Sequence, residues 1–151
     1  MRSMRVIARS AGLVCIAAMF VFADAHDDVI AVVTNMAGAL TEVNVPKFMS
    51  VFSKEMPGYA TLQNNVTALV NQAEVSSSIE PVTEDGDDQA RSIDLDWVLE
   101  VRSLEQDGPI VHRREVIHCE LRKDQVHKKK PQWKIVAIKP LDFFGAAKLG
   151  Q

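Results

Sequence analysis

Arg91-Ser92-Ile93-Asp94-Leu95-Asp96-Trp97-Val98-Leu99-Glu100-Val101-Arg102 is the stretch that decides the fold. Ile93, Leu95, Trp97, Leu99 and Val101 occupy every second position, with Ser92, Asp94, Asp96 and Glu100 between them and Val98 as the exception. Successive side chains of a strand point to opposite faces, so this alternation predicts a long strand with one apolar and one polar face. On its amino-terminal side, Glu74 to Val82 reads as a first strand and Glu84-Asp85-Gly86-Asp87-Asp88 as the turn between the two. On the other side, Gln106-Asp107-Gly108-Pro109 turns the chain into a third strand through about Lys123. A Lys-rich loop then leads to a fourth, Trp133 to Lys139, which Pro140 ends.

Before Ala73 the period is helical. Val29, Val33, Met36, Leu40 and Val43 recur on one helix face, with Ile30 and Ala37 widening it; Asp27 and Asp28 favour its start and Asn44 its end. Pro46 suits the first turn of a short second helix carrying Phe48, Met49, Val51 and Phe52. Met56-Pro57-Gly58-Tyr59 breaks it, and Thr61 can cap a third helix whose apolar face is Leu62, Val66, Leu69, Val70 and Ala73. Helices first and strands afterwards predict an α+β domain, three N-terminal helices on an antiparallel sheet of about four strands, rather than an alternating doubly wound one.

Residues 1–25 read as an address rather than as structure. Arg2, Arg5 and Arg9 form a basic start, Ala11 to Ala23 an apolar run, and Ala23-Asp24-Ala25 a small-residue site of the kind signal peptidase cleaves. The run is shorter than the roughly 20 residues of a permanent span. A cleaved export signal is the expectation, with an uncleaved anchor as its rival, and it places the protein in the periplasm or outside the cell with no stable membrane anchor. Val14 before Cys15 argues against lipid attachment. The expected division is a signal peptide at 1–25, one domain at 26–144 and a tail at 145–151.

The whole chain has a formal charge of −3. The leader carries three of the 17 basic residues and one of the 20 acidic ones, so its removal leaves 14 against 19, a formal −5. That balance speaks against nucleic acid as a partner, which calls for a basic excess. The one basic cluster, His127-Lys128-Lys129-Lys130 before Pro131, reads as a solvated hairpin tip. Cys119 is the only cysteine beyond the leader, so no intramolecular disulfide forms there, and its register with Ile117 and Leu121 predicts a buried thiol. His112, His118 and Glu120 share one strand face, but His118 and Glu120 alone span about 6.6 Å of strand, too far for two ligands each about 2 Å from one ion. No metal site and no cofactor is expected. A Gly-rich phosphate loop, a nucleophile elbow, a Cys-x-x-Cys pair and a His-Glu-x-x-His helix are all lacking.

Helix, short helix, Pro57-Gly58-Tyr59, third helix and then a sheet with Asp96-Trp97, Trp133-Lys134-Ile135 and Pro140-Leu141-Asp142-Phe143-Phe144 resembles the nuclear transport factor 2-like superfamily. The resemblance spans about residues 27 to 144. It implies a cone: a curved sheet, or cystatin-like roll, with the helices packed into its concave side and a pocket at the wide mouth. The superfamily includes ketosteroid isomerase, scytalone dehydratase and limonene epoxide hydrolase beside noncatalytic binding and assembly modules, so the fold alone does not choose among activities.

Isomerase-type chemistry needs a carboxylate and a phenol or protonated acid in one apolar pocket. The resemblance would draw the phenol from the first helix, yet residues 26–44 contain no tyrosine, and Tyr59 is the only one in the chain. Alternation puts Asp94 and Asp96 opposite Trp97, on the outer face. Arg113 and Glu115 share the parity of Ile117, Cys119 and Leu121, so two readings are open for them: a polar pair at the cone mouth, or a solvated ion pair at a strand end. The candidate pocket residues are therefore Tyr59, Trp97, Phe52, Arg113 and Glu115, with no catalytic set assigned. Two function classes follow. One is an exported noncatalytic module that binds a small apolar or amphipathic ligand or pairs with protein; the other is a small isomerase, dehydratase or hydrolase using Tyr59 with Glu115 or another acid. The resemblance also suggests a homodimer through the outer sheet face, where Val98 supplies an apolar centre.

Overall fold

A computed structural model describes residues 16–125 and 130–149, with side chains from Asp24 onward. Cys15, the first part of the expected leader, His127-Lys128-Lys129 of the basic cluster and the last two residues of the expected tail lie outside the described residues. Helix α1 (Ile16–Thr41) is followed by α2 (Val45–Met49) and α3 (Tyr59–Gln72). Strands β1 (Ala73–Gly86), β2 (Ala90–Ser103), β3 (Ile110–Asp124) and β4 (Gln132–Lys139) come next, and a 3-10 turn (Leu141–Phe144) closes the order. The strands form one antiparallel meander in the order β1-β2-β3-β4. Helices before strands thus give the α+β architecture that the sequence order predicts.

The period-2 pattern of β2 is realised residue by residue. Ile93, Leu95, Trp97, Leu99 and Val101 are buried on the concave face, while Asp94, Asp96, Val98 and Glu100 stay partly exposed on the other. Pairing places Ile93 opposite Cys119 and Leu95 opposite Ile117, so β3 extends the same apolar surface. Onto it α1 brings Val29, Val33, Met36 and Leu40, and α3 brings Leu62, Val66 and Leu69, all buried. Phe143 and Phe144 are folded back against Trp97, with the Phe144 ring centroid 5.0 Å away at an 81° edge-on angle and Phe48 5.7 Å beyond it. The concavity of the cone is filled by this aromatic cluster.

Helix α1 passes through the expected cleavage position without a break, and the Ala25 side chain is buried. Among the described residues no helix is long and apolar enough to cross a membrane.

Several element boundaries depart from the sequence reading. β1 runs on to Gly86, and the turn is closed by Asp87, whose Oδ1 accepts from the backbone N–H groups of Gln89 and Ala90, each at 2.8 Å. α3 begins at Tyr59 rather than after Thr61, with Gly58 as its cap at φ 81°. Glycine is favoured there by that left-handed backbone; the Leu141 Cδ1, 2.5 Å from where an added Cβ would stand, is the end of a flexible side chain and would have to shift. Asn44, read as the end of α1, instead caps α2 by accepting from the Lys47 N–H at 2.9 Å.

Candidate functional site: a cleft at the edge of β4

The segment between α2 and α3 crosses the free edge of β4. The Ile135 N–H donates to the Val51 carbonyl at 2.8 Å, and the Ser53 N–H donates to the Ile135 carbonyl at 2.9 Å, a short parallel pairing that fixes the crossing. Phe52, within that pairing, and Met56 after it are buried, and Gly58 then turns the chain into α3. What remains between this crossing and the ends of β3 and β4 is a cleft of about 710 Å³.

Its apolar wall comes from Val45, Met49, Phe52 and Val136, with the Tyr59 ring beside them. Its polar rim holds Lys54, Arg122, Lys123 and Lys134 against Glu55 and Asp124. The Lys134 ammonium donates to the Ser50 carbonyl at 2.5 Å, tying β4 to the end of α2. The Lys123 ammonium lies 5.5 Å from the centre of the Trp133 ring, within cation–π range. None of the lining comes from α1, β1 or β2.

The five candidate residues are divided by this geometry. Phe52 and Tyr59 line the cleft together. Trp97 is 0% exposed in the filled concavity, its Nε1–H donating to Ser77 Oγ at 2.9 Å, and it is not part of the cleft wall. Arg113 and Glu115 line a separate, mostly polar depression of about 470 Å³ beside Asp142 and Phe143. Arg113 is occupied there: it donates to the carbonyls of Phe143 at 2.8 Å, Gly145 at 2.6 Å and Ala146 at 2.9 Å. Desolvation lowers its pKa against the raising effect of Asp142, but a guanidinium stays charged throughout. Arg113 thus clamps the chain after β4, with Gln72 donating to the Ala147 carbonyl at 2.7 Å, and residues 145–149 pack on the domain rather than hanging from it. Glu115 stands opposite Trp97 in the pairing but is exposed.

The outer face carries the displaced carboxylates. Asp94 accepts from Thr83 Oγ1 at 2.6 Å and lies 2.6 Å from His118 Nδ1, and these two contacts hold its pKa below the usual carboxylate range. Asp96 is lowered by its paired contact with Arg114, closest at 2.6 Å. Both point away from Trp97, as alternation predicts. Among the described residues no group of three His, Cys, Asp or Glu side chains is placed to hold a metal ion. Burial pushes the Cys119 thiol up to about 12, aided by the nearby negative charge of Asp94, so the buried thiol is not a nucleophile at neutral pH.

The cleft groups that sequence reasoning missed include Met49, Arg122, Lys134 and Val136. Arg122 and Lys134 become neighbours only through the β3–β4 register, which shifts by a bulge between Glu120 and Leu121. That bulge has no mark in the alternation, so counting along the strands does not bring them together.

No protein-family model matches the sequence, and no curated protein matches it either. Solved structures do match in three dimensions. A nuclear transport factor 2-like superfamily protein from Salmonella enterica serovar Typhimurium superposes with a TM-score of 0.64 over 85% of this chain and 95% of its own, at 13% identity. The chain has the nuclear transport factor 2-like fold. Two further proteins with the same architecture come from Novosphingobium aromaticivorans. One is a nuclear transport factor 2-like protein with a cystatin-like fold (TM-score 0.64, 11% identity, 86% of this chain and 89% of that one). The other is provisionally described as a scytalone dehydratase (TM-score 0.68, 8% identity, 80% and 85%). Identities this low carry the nuclear transport factor 2-like fold and not an activity.

Proposed function

We propose that this nuclear transport factor 2-like domain is a noncatalytic binding module whose ligand, a small amphipathic molecule, sits in the cleft at the edge of β4. The observation that carries the reading is the two-sided lining of that cleft: an apolar wall of Met49, Phe52 and Val136 faces a rim of charged side chains, in a volume of about 710 Å³. Ligand sites of about 300–1,000 Å³ with mostly apolar walls and a few polar groups are the usual form. Native mass spectrometry of the purified protein tests it. A co-purified small molecule that disappears in Met49→Trp, which fills the wall, is the expected result; wild type and variant carrying the same species would place the ligand elsewhere.

A catalytic reading draws on one observation, that Tyr59 shares the cleft with Glu55 and Asp124. It lacks the Tyr59–Glu115 pair, since Glu115 lines the other depression. The carboxylates with displaced pKa values, Asp87, Asp94 and Asp96, are all lowered and all lie outside the cleft, whereas a general acid needs a raised one.

Two wider proposals accompany the binding reading. The module is exported, its leader ending near Ala25; the cut leaves Val29, Val33, Met36 and Leu40, the core-facing part of α1, on the mature chain. It also pairs with a second copy through the outer sheet face, where Val116 is 54% exposed beside the Asp96–Arg114 pair and Val98 lies opposite Arg114. A monomer in sedimentation at high micromolar concentration would remove the pairing proposal.

A further inference from the structure

The basic groups of the cleft are disposed in a way that a neutral ligand does not call for. Arg122 and Lys134 are direct cross-strand partners, and like charges facing each other across a sheet destabilise it. Lys134 turns to the Ser50 carbonyl, which accepts a hydrogen bond but supplies no neutralising charge. The Arg122 guanidinium has no hydrogen bond or ion pair among the described residues. With Lys54 and Lys123 on the same rim, four positive side chains stand against Glu55 and Asp124, in a chain whose net charge is −3. The cleft therefore concentrates charge of the sign opposite to that of the whole molecule, next to an apolar wall.

We propose, building on the binding reading above, that the ligand is an amphipathic carboxylate. Its acyl or aryl body lies on Met49, Phe52 and Val136, and its carboxylate is taken by the Arg122 guanidinium, which relieves the repulsion between Arg122 and Lys134. The planar fork of arginine matches a carboxylate with two parallel hydrogen bonds. A phosphate head would match the same fork, but stripping water from its charge of about −1.5 to −2 beside the apolar wall costs more than for a single carboxylate charge.

Isothermal titration calorimetry of the full chain with octanoate, 1-octanol and octyl phosphate tests this, on wild type and on Arg122→Gln. Octanoate is expected to bind wild type best of the three and to lose at least about tenfold in affinity in Arg122→Gln, the range of a charge-assisted hydrogen bond, while 1-octanol is unaffected. The ligand-free thermal midpoint of Arg122→Gln should equal or exceed that of wild type, since the charge facing Lys134 is gone; this separates lost binding from lost fold. Should that variant fold poorly, Arg122→Lys keeps the charge and loses the planar fork, and octanoate affinity is expected to fall there too while 1-octanol is unaffected. Equal binding of octanoate and 1-octanol, indifferent to Arg122, would overturn the carboxylate assignment and leave the wider binding reading standing. Tighter binding of octyl phosphate than octanoate would overturn the choice of head group. Failure of all three to bind would overturn the inference, and the mass spectrometry of the co-purified species would then judge the wider reading separately.

Discussion

Replacing Trp97 by alanine tests whether the concave face is a filled core. The side chain is 0% exposed, with Phe144 edge-on at 5.0 Å, Phe143 at 6.2 Å and a hydrogen bond from Nε1–H to Ser77 Oγ at 2.9 Å. Truncating a fully buried large aromatic costs about 3–5 kcal/mol, and the lost edge-to-face contact puts Trp97→Ala in the upper half of that range. Domains of this size have about 5–15 kcal/mol in total, so the variant should be close to unfolding. Trp97→Phe keeps a ring against Phe144 and loses the Ser77 bond and some volume, for about 1–2 kcal/mol. Asp96→Ala should cost much less, because its carboxylate lies on the outer face and its partner Arg114 is 72% exposed. Urea denaturation followed by far-ultraviolet circular dichroism ranks the three. An Asp96→Ala loss as large as that of Trp97→Ala would mean that the two faces of β2 are exchanged, and with them every assignment of core and surface made for the sheet.

Arg113→Ala should lower stability by about 1–2 kcal/mol and loosen the chain after β4, since it removes the donor to three carbonyls; hydrogen exchange confined to residues 145–149 is the readout. Asp94, Asp96 and Asp87 all have folded pKa values below their unfolded ones, so their contribution is present above the usual carboxylate value of about 4 and is lost as the pH falls through the lower folded values. The thermal midpoint should therefore drop below about pH 4, and Asp94→Asn should flatten part of that fall. In the chain carrying Cys15→Ser, Cys119 should ignore a thiol reagent at pH 8 and react only on unfolding, because burial holds its pKa at about 12. Amino-terminal sequencing of protein from the cell envelope should begin at or near His26, and soluble cytoplasmic protein starting at Met1 would refute export.

The helices and strands were legible because their periods are written into neighbouring residues. Ile93 to Val101 alternate whatever surrounds them, and Val29 to Leu40 line one face of any helix they form, so the α+β order and the outward placement of Asp94 and Asp96 follow from backbone geometry alone. Boundaries were less legible where a single side chain or a distant contact acts. The Asp87 carboxylate closes the hairpin turn, and the start of α3 is set by the left-handed backbone at Gly58, neither of which the period of the flanking residues announces.

The site divides along the same line. Phe52 and Tyr59 were reached from the sequence, whereas their partners in the cleft belong to strands paired across a bulge. Trp97, Arg113 and Glu115 have the concave-face parity that the alternation gives, but their fates are tertiary: Phe143 and Phe144 cover Trp97, Arg113 is taken up by the carbonyls after β4, and Glu115 is left at the surface. Parity is a property of one strand, readable from its own residues. A cavity is the volume that packing leaves over among residues far apart in the chain, and only the assembled fold decides where that volume lies.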